Sequence, residues 1–474
     1  MYVLHHGKAT VTRDRPTGGW LRHLRAGGGR PIYLALVEAL ETAVREGELQ
    51  PGDQLPPQRA VADQLGIDFT TVTRAYGAAR ARGLVEGAVG RGTFVRRRAV
   101  DDEAGLVDLS MNLPPPPQGV SLAALLKETT AAILDRTEVA TLMAYHAGPG
   151  TPGQRAAGAA WLAPVLGEVG AERIVVCPGV QSALTAILTT ITRSSFQSGS
   201  KPGACVIVEP LTYPGIIALA ERLGLRLVAC PVDDQGFLPE ALARLCAEEQ
   251  PAAVYLVPTT RNPVATTMGS ARRRAVAAIV DTSEAWLIED DPYSRLFDSP
   301  LPALASLAPE RTFHIATLSK TLTPGLRTAF LAAPAGPMAA RIADALHATT
   351  LMGSPLTTAV AVRWIRDGTA DRILAGVRLE ARARRAIAAE ILPAARGDAE
   401  GLHVWLDLPT GLDAGGLRTL AAARGLALVT ADAFAATSDH PAGLRISLGG
   451  PAKASLLREA LRNVAALLEP AAIV

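Results

Sequence analysis

The stretch "TLSKTLTPGLR", residues 317–327, places Lys320 beside Ser319, with Thr317 three residues before it and Arg327 seven after. A primary amine can capture an aldehyde as a Schiff base, while hydroxyls and a guanidinium suit a phosphate. Further polar groups fall where apolar runs stop. Tyr213 follows "ACVIVEP", Asn262-Pro263 follows "AAVYLVP", and "AWLIE" leads into Asp290-Asp291-Pro292-Tyr293. After "RIVVCP" comes "GVQSALTAI", which puts Val180 and Gln181 at a glycine-opened helix start, where free N–H groups and the positive dipole end favour phosphate. Singly, each has an ordinary structural reading: a packed turn aromatic, a common turn, a helix cap, a solvated lysine. Jointly they supply what pyridoxal phosphate needs. Those parts are an amine, a carboxylate to keep the pyridine nitrogen protonated, donors for the phenolic oxygen, an aromatic face and a phosphate cradle.

The elements that must position these groups are short and regular. "RIVVCP", "ACVIVEP", "RLVACPV", "AAVYLVP", "AWLIEDD", "FHIATLS" and "AFLAAP" read as strands of a largely parallel sheet covered by helices, and sites in such sheets form at strand carboxyl ends. The uncharged run at 174–192 is long enough for a membrane span, but its internal Pro178-Gly179 predicts strand, turn, then helix. With no signal peptide at the start, no membrane span and a cytoplasmic location are expected. Cys177, Cys205, Cys230 and Cys246 have no metal spacing and read as reduced, buried thiols. No metal site is expected; His5-His6 reads as part of a tail. Arg272-Arg273-Arg274 reads as a solvated helix face, and His314 as a core histidine.

At 474 residues the chain needs two or more domains. Its net charge of +2 is uneven: residues 1–98 hold 15 Lys+Arg against 9 Asp+Glu, and the remainder 32 against 36. A basic front piece on an acidic body points to a polyanion partner for that piece. Residues 31–48 have helical periodicity, "PQRAVADQLG" is a short helix closed at Gly66, and "DFTTVTRAYGAARARG" is a second. "LVEGAVGRGTFVRRR" predicts two short strands around a basic tip with Arg91 and Gly92. The set predicts a winged helix-turn-helix. Thr70, Thr71, Thr73 and Arg74 would enter the major groove of an operator duplex, and Arg59 and Arg91 would meet phosphates. The series "PIY…PGD.LP..R.VA..LG……TV..AY…GL…GRGTFV" closely resembles the GntR-type winged helix. Asp68-Phe69 departs from that pattern, which usually has Ser or Thr followed by a basic residue.

The expected order is an N-terminal extension, 1–30, partly unstructured; the winged helix, 31–98; a linker, 99–107; and a body, 108–474. The body resembles a fold-type I, class I aminotransferase domain through "YHAGPGTPGQR", "GVQSAL", "YPG", "RNP", "EDDPY", "TLSKTLTPGLR" and "GLRIS". The fold class implied is multidomain α/β, a winged helix plus a mostly parallel sheet covered by helices. The resemblance implies that Lys320 forms the internal aldimine and Asp290 pairs with the pyridine nitrogen. It implies that Asn262 and Tyr293 bond the ring hydroxyl and Tyr213 stacks on the ring. Val180, Gln181, Thr317, Ser319 and Arg327 would bind the phosphate. Tyr145 would reach the phosphate of a second subunit, which implies a homodimer, and Arg445 would grip a carboxylate. Ala147-Gly148 and Gln154 depart from the family pattern. The fusion itself resembles the MocR/GabR regulators. It implies a DNA-binding regulator sensing pyridoxal phosphate, or an amine or amino acid, by aldimine exchange at Lys320. The alternative is a working aminotransferase with an accessory DNA-binding domain.

Overall fold

The computed structural model describes residues 19–24, 31–45, 48–49, 53–82, 84–88, 92–95, 106–146, 148–197, 204–408 and 413–468. The chain divides into two compact units, Met1–Ala104 and Gly105–Val474.

The first unit contains helices α1 (Ile32–Arg45), α2 (Gln58–Leu65) and α3 (Phe69–Ala81), then strands β1 (Val85–Ala88) and β2 (Gly92–Val95). Helix α2 stops at Gly66, whose φ of 63° is left-handed and which has no Cβ to resist it. The Ile67 N–H bonds back to the Ala62 carbonyl, so the chain turns at once into α3. Asp68 starts α3, its carboxylate accepting from the Thr70 N–H at 2.7 Å. The departure from the GntR pattern at Asp68 is therefore an N-cap. Strands β1 and β2 pair antiparallel, Val85 opposite Val95 and Ala88 opposite Gly92. Leu36, Leu40, Val61, Val72 and Tyr76 pack the core. Within the 1–30 extension, Gly19–His23 forms a 3-10 turn that buries Trp20 and Leu21 in that same core, because an indole gains more from burial than from exposure. Arg91 and His5-His6 lie outside the described residues.

In the second unit all seven expected runs are strands of one sheet. From edge to edge they run Ile174–Cys177, Ala329–Ala332, Thr312–Thr317, Trp286–Asp290, Ala253–Leu256, Cys205–Val208 and Arg226–Ala229. Neighbours are parallel except around Ala329–Ala332, which is antiparallel to both of its partners. The uncharged run at 174–192 is the strand Ile174–Cys177 and the start of the helix Val180–Gln197. Among the described residues no helix is long and apolar enough to cross a membrane. A smaller C-terminal sheet joins His403–Asp407, Gly443–Ser447 and Val429–Thr430, with the helix Ala454–Leu467 sharing its core. Val107–Asp108, at the start of this unit, pairs with Leu426–Ala427. All four cysteines are free and buried.

Two local readings gain detail. Gln154 closes a capping box on the helix Pro152–Leu166: Gln154 N–H donates to Thr151 Oγ1 and Thr151 N–H to Gln154 Oε1. The solvated reading of Arg272-Arg273-Arg274 holds only for Arg274. Arg272 pairs with Asp233 at 2.8 Å. Arg273 is fully buried and donates to the Met268 and Pro302 carbonyls and to Thr259 Oγ1. Two of those acceptors, Thr259 and Pro302, lie 14 and 29 positions away, so a local charge run cannot reveal them.

Candidate functional site

The strand ends converge on a cavity of about 750 Å³. Asp290 closes the strand Trp286–Asp290, Thr317 closes Thr312–Thr317, and Ser319 and Lys320 follow directly. Val180 and Gln181 open the helix Val180–Gln197, while Tyr213 caps the helix Pro214–Leu223. These residues line the cavity together with Asn262, Tyr293, Arg327 and Arg445. Tyr145 does not line it. It is 81 % exposed, beyond the short helix Val139–Leu142.

Burial sets the electrostatics. It pushes the Asp290 carboxyl up to about 7, the Tyr255 hydroxyl opposing it by donating to Oδ2 at 2.8 Å. Oδ1 of the same carboxylate is buried without a partner. Burial, then the positive charge of Arg445, lowers the Lys320 ammonium to about 8, and Lys320 Nζ donates to the Asn112 carbonyl. Burial also brings Arg445 down to about 10. Its Nη1 donates to Asn262 Oδ1 at 2.9 Å, its Nη2 to the Ser110 carbonyl, and its guanidinium lies 4.8 Å over the Phe434 ring. Burial raises the Tyr293 hydroxyl well above its ordinary value.

A further layer holds these groups. Glu209 and Arg261, both buried, pair at 2.8 Å and fix the loop that presents Asn262. His314 is fully buried, its Nδ1 3.0 Å from Glu289 Oε2 and its Nε2 3.6 Å from Asp291 Oδ2. Burial opposes its charge, yet Glu289 prevails and raises its pKa. Three residues were missed by sequence reasoning: Tyr255, Asn112 and His403. Tyr255 lies within a strand rather than at its end. Asn112 and His403 are brought together across 291 positions of sequence.

The donor set fits pyridoxal phosphate. The unpaired Oδ1 of Asp290 offers an acceptor to a pyridinium N–H, and Lys320 is a partly deprotonated amine. Gly179, at φ +107°, leaves room that a Cβ would take to 2.7 Å from Arg327 Nη2, so a side chain there would crowd the cradle.

On the first unit, Val72, Ala75, Tyr76 and Ala79 of α3 face the core. Thr70, Thr73, Arg74 and, on α2, Arg59 are exposed, and Thr71 is half-buried. Arg74 lies 4.5 Å over the Tyr33 ring and Arg59 6.0 Å over Phe69. Thr73 Oγ1 donates to Gln58 Oε1, tying α3 to α2. Gly92 opens β2 at φ +111°.

Two family models match the chain. Residues 32–95 match the bacterial regulatory proteins of the gntR family, and residues 104–452 match aminotransferase class I and II. The chain belongs to the aminotransferase class I and II family. With a GntR domain ahead of the aminotransferase domain, it has the MocR/GabR-type arrangement. It is 29 % identical over 452 residues to the uncharacterized HTH-type transcriptional regulator YdeF of Bacillus subtilis (strain 168), covering 93 % of this chain and 95 % of that one. It is 28 % identical over 376 residues to the HTH-type pyridoxine biosynthesis transcriptional regulator PdxR of Corynebacterium glutamicum, covering 76 % and 79 %. The aminotransferase domain shares its fold with the multiple substrate aminotransferase of Thermococcus profundus, at TM-score 0.68 and 23 % identity over 78 % of this chain and 92 % of that one. The cofactor of the domain is pyridoxal 5'-phosphate.

Proposed function

We propose that this chain is a homodimeric, DNA-binding transcription regulator that holds pyridoxal phosphate at Lys320. It would respond to that cofactor, or to an amine or amino acid competing with Lys320. One observation carries the reading: a single cavity gathers Lys320, the unpaired Asp290 oxygen and Arg445, in a chain whose first unit presents α3 to solvent. When bound, pyridoxal phosphate supplies an aldehyde that condenses with primary amines and a ring that withdraws electrons.

The chain's own residues do the rest. Asp290 Oδ1 accepts from the pyridine nitrogen, and Tyr213 covers the ring. Asn262, its Oδ1 already taken by Arg445, has its amide N–H free for the ring oxygen. Backbone N–H groups of Val180 and Gln181, with Thr317, Ser319 and Arg327, hold the phosphate. Tyr145 serves the site of the other subunit, and its exposure supports that role. Lys320, lowered to about 8, is partly neutral near physiological pH and therefore nucleophilic. Arg445, whose Nε is buried without a partner, takes an effector carboxylate. Thr70, Thr71, Thr73 and Arg74 face base edges, and Arg59, Arg91 and Gly92 meet the backbone. A relative described as a regulator of pyridoxine biosynthesis supports an effector of the vitamin B6 class. Occupancy must favour one conformation by about 1–3 kcal/mol to act as a switch.

The test is Lys320→Ala in the full chain. Duplexes chosen from a randomised library by the wild-type chain provide the DNA. We expect loss of the visible absorbance gained with pyridoxal phosphate, and loss of the effect of pyridoxal phosphate on duplex binding. If both survive the substitution, the reading is wrong. Steady amino transfer by a chain that selects no duplex would instead favour the enzyme.

A further inference from the structure

We propose that Asn112 is a positioning residue that commits the Tyr293 hydroxyl to donate into the cavity, with His403 setting the polarity of the arrangement. The inference rests on the proposed placement of pyridoxal phosphate at Lys320 and adds to it two residues to which no role is assigned above.

The hydrogen-bond chain starts at a backbone carbonyl. His403 Nε2 lies 3.4 Å from the Arg261 carbonyl oxygen, which can only accept, so the ring hydrogen is on Nε2. His403 is fully buried, and burial and the nearby Arg445 hold it neutral. Its Nδ1 is therefore an acceptor. Asn112 stands 3.0 Å from that nitrogen, so its amide NH2, not its oxygen, must face the ring. The second amide hydrogen then goes to Tyr293 Oη at 2.9 Å. Tyr293 accepts there, and its own hydrogen remains unspent on a residue that lines the cavity. The backbone of Asn112 adds a further tie, its carbonyl accepting from Lys320 Nζ. One residue thus fixes the hydroxyl and restrains the amine.

A hydroxyl obliged to donate favours the anionic form of a ligand oxygen and holds down the proton affinity of the loaded site. Asn112→Asp reverses the bond: a carboxylate can only accept, so it turns the Tyr293 hydrogen away from the cavity and adds a negative charge. Asn112→Leu removes the bond. Lys320, Asp290, Arg445, Arg327 and Tyr213, the other titratable groups lining the cavity, and Tyr255 behind Asp290 remain as they are.

The measurement is a pH titration of the visible absorbance of the full chain loaded with pyridoxal phosphate. The Asn112→Asp midpoint is expected to rise by about one pH unit or more, a tenfold change in proton affinity, and Asn112→Leu to move the same way. His403→Gln keeps an acceptor for the amide and should titrate like wild type. His403→Leu, which has none, should shift. If the Asn112 variants do not fold, as read by thermal melting, the His403 pair decides. Coloured variants whose midpoints match wild type overturn the role of Asn112 and leave the proposed function standing. A wild-type chain that stays colourless overturns both.

Discussion

At the residue scale, the site is governed by burying charged groups together. Asp290 shows the sign clearly. Its carboxyl lies at about 7 rather than 3.8 because it is buried. Between those values the folded ligand-free chain keeps a proton that the unfolded chain has released, so stability falls as pH rises through the window. Asn at this position does not titrate. Urea midpoints of the two ligand-free proteins at pH 4.5 and 7.5 should therefore diverge, wild type losing more on going to 7.5, by roughly a few kcal/mol at about 1.4 kcal/mol per unit. Parallel losses in the two proteins would contradict the burial argument. Much of this residue-scale picture was legible, because Lys320, Asp290, Tyr293 and Asn262 each follow an apolar strand run closely. Asn112, His403 and Tyr255 were not. Their partners are set by the tertiary path, Asn112 meeting Tyr293 across 181 positions.

At the element scale, the seven strands were readable because each apolar run ends at a turn residue. What periodicity could not give was direction: nothing in "AFLAAP" marks it as antiparallel to both neighbours. Nor could it show that Trp20, in a stretch read as an extension, belongs to the first core. Helix α3 has its own consequence. Its core side is filled by Val72, Ala75 and Tyr76, so its solvent side is free to meet DNA. Under the proposed function Arg59→Ala should weaken binding to all duplexes alike and reduce the slope of log affinity against log salt by about 1. Arg74→Ala should instead alter which sequences are preferred. Fluorescence anisotropy at several salt concentrations distinguishes these outcomes, and an unchanged slope for Arg59→Ala would remove it from the phosphate contacts.

At the scale of the whole molecule, the helix Leu122–Arg136 buries none of its residues, and Leu126, Leu134, Val139, Met143 and Tyr145 are all exposed. Where exposed apolar side chains gather on one surface, they mark an interaction site. The proposed homodimer covers it and makes Tyr145 part of a neighbouring site. Sedimentation should return a dimer, and Tyr145→Phe should weaken pyridoxal phosphate several-fold without dissociating it. A monomer that binds the cofactor as tightly as wild type would rule this out.

The order of strands also bears on how the chain is made. The edge strand Ile174–Cys177 has one neighbour in its sheet, Ala329–Ala332, and Val107–Asp108 has Leu426–Ala427. On the ribosome both early segments must wait for partners synthesised much later, whereas the contacts within α1, α2 and α3 are close in sequence. The front unit can thus finish folding while the other is still a nascent chain. During translation the smaller front unit is therefore expected to become protease-resistant before the larger one.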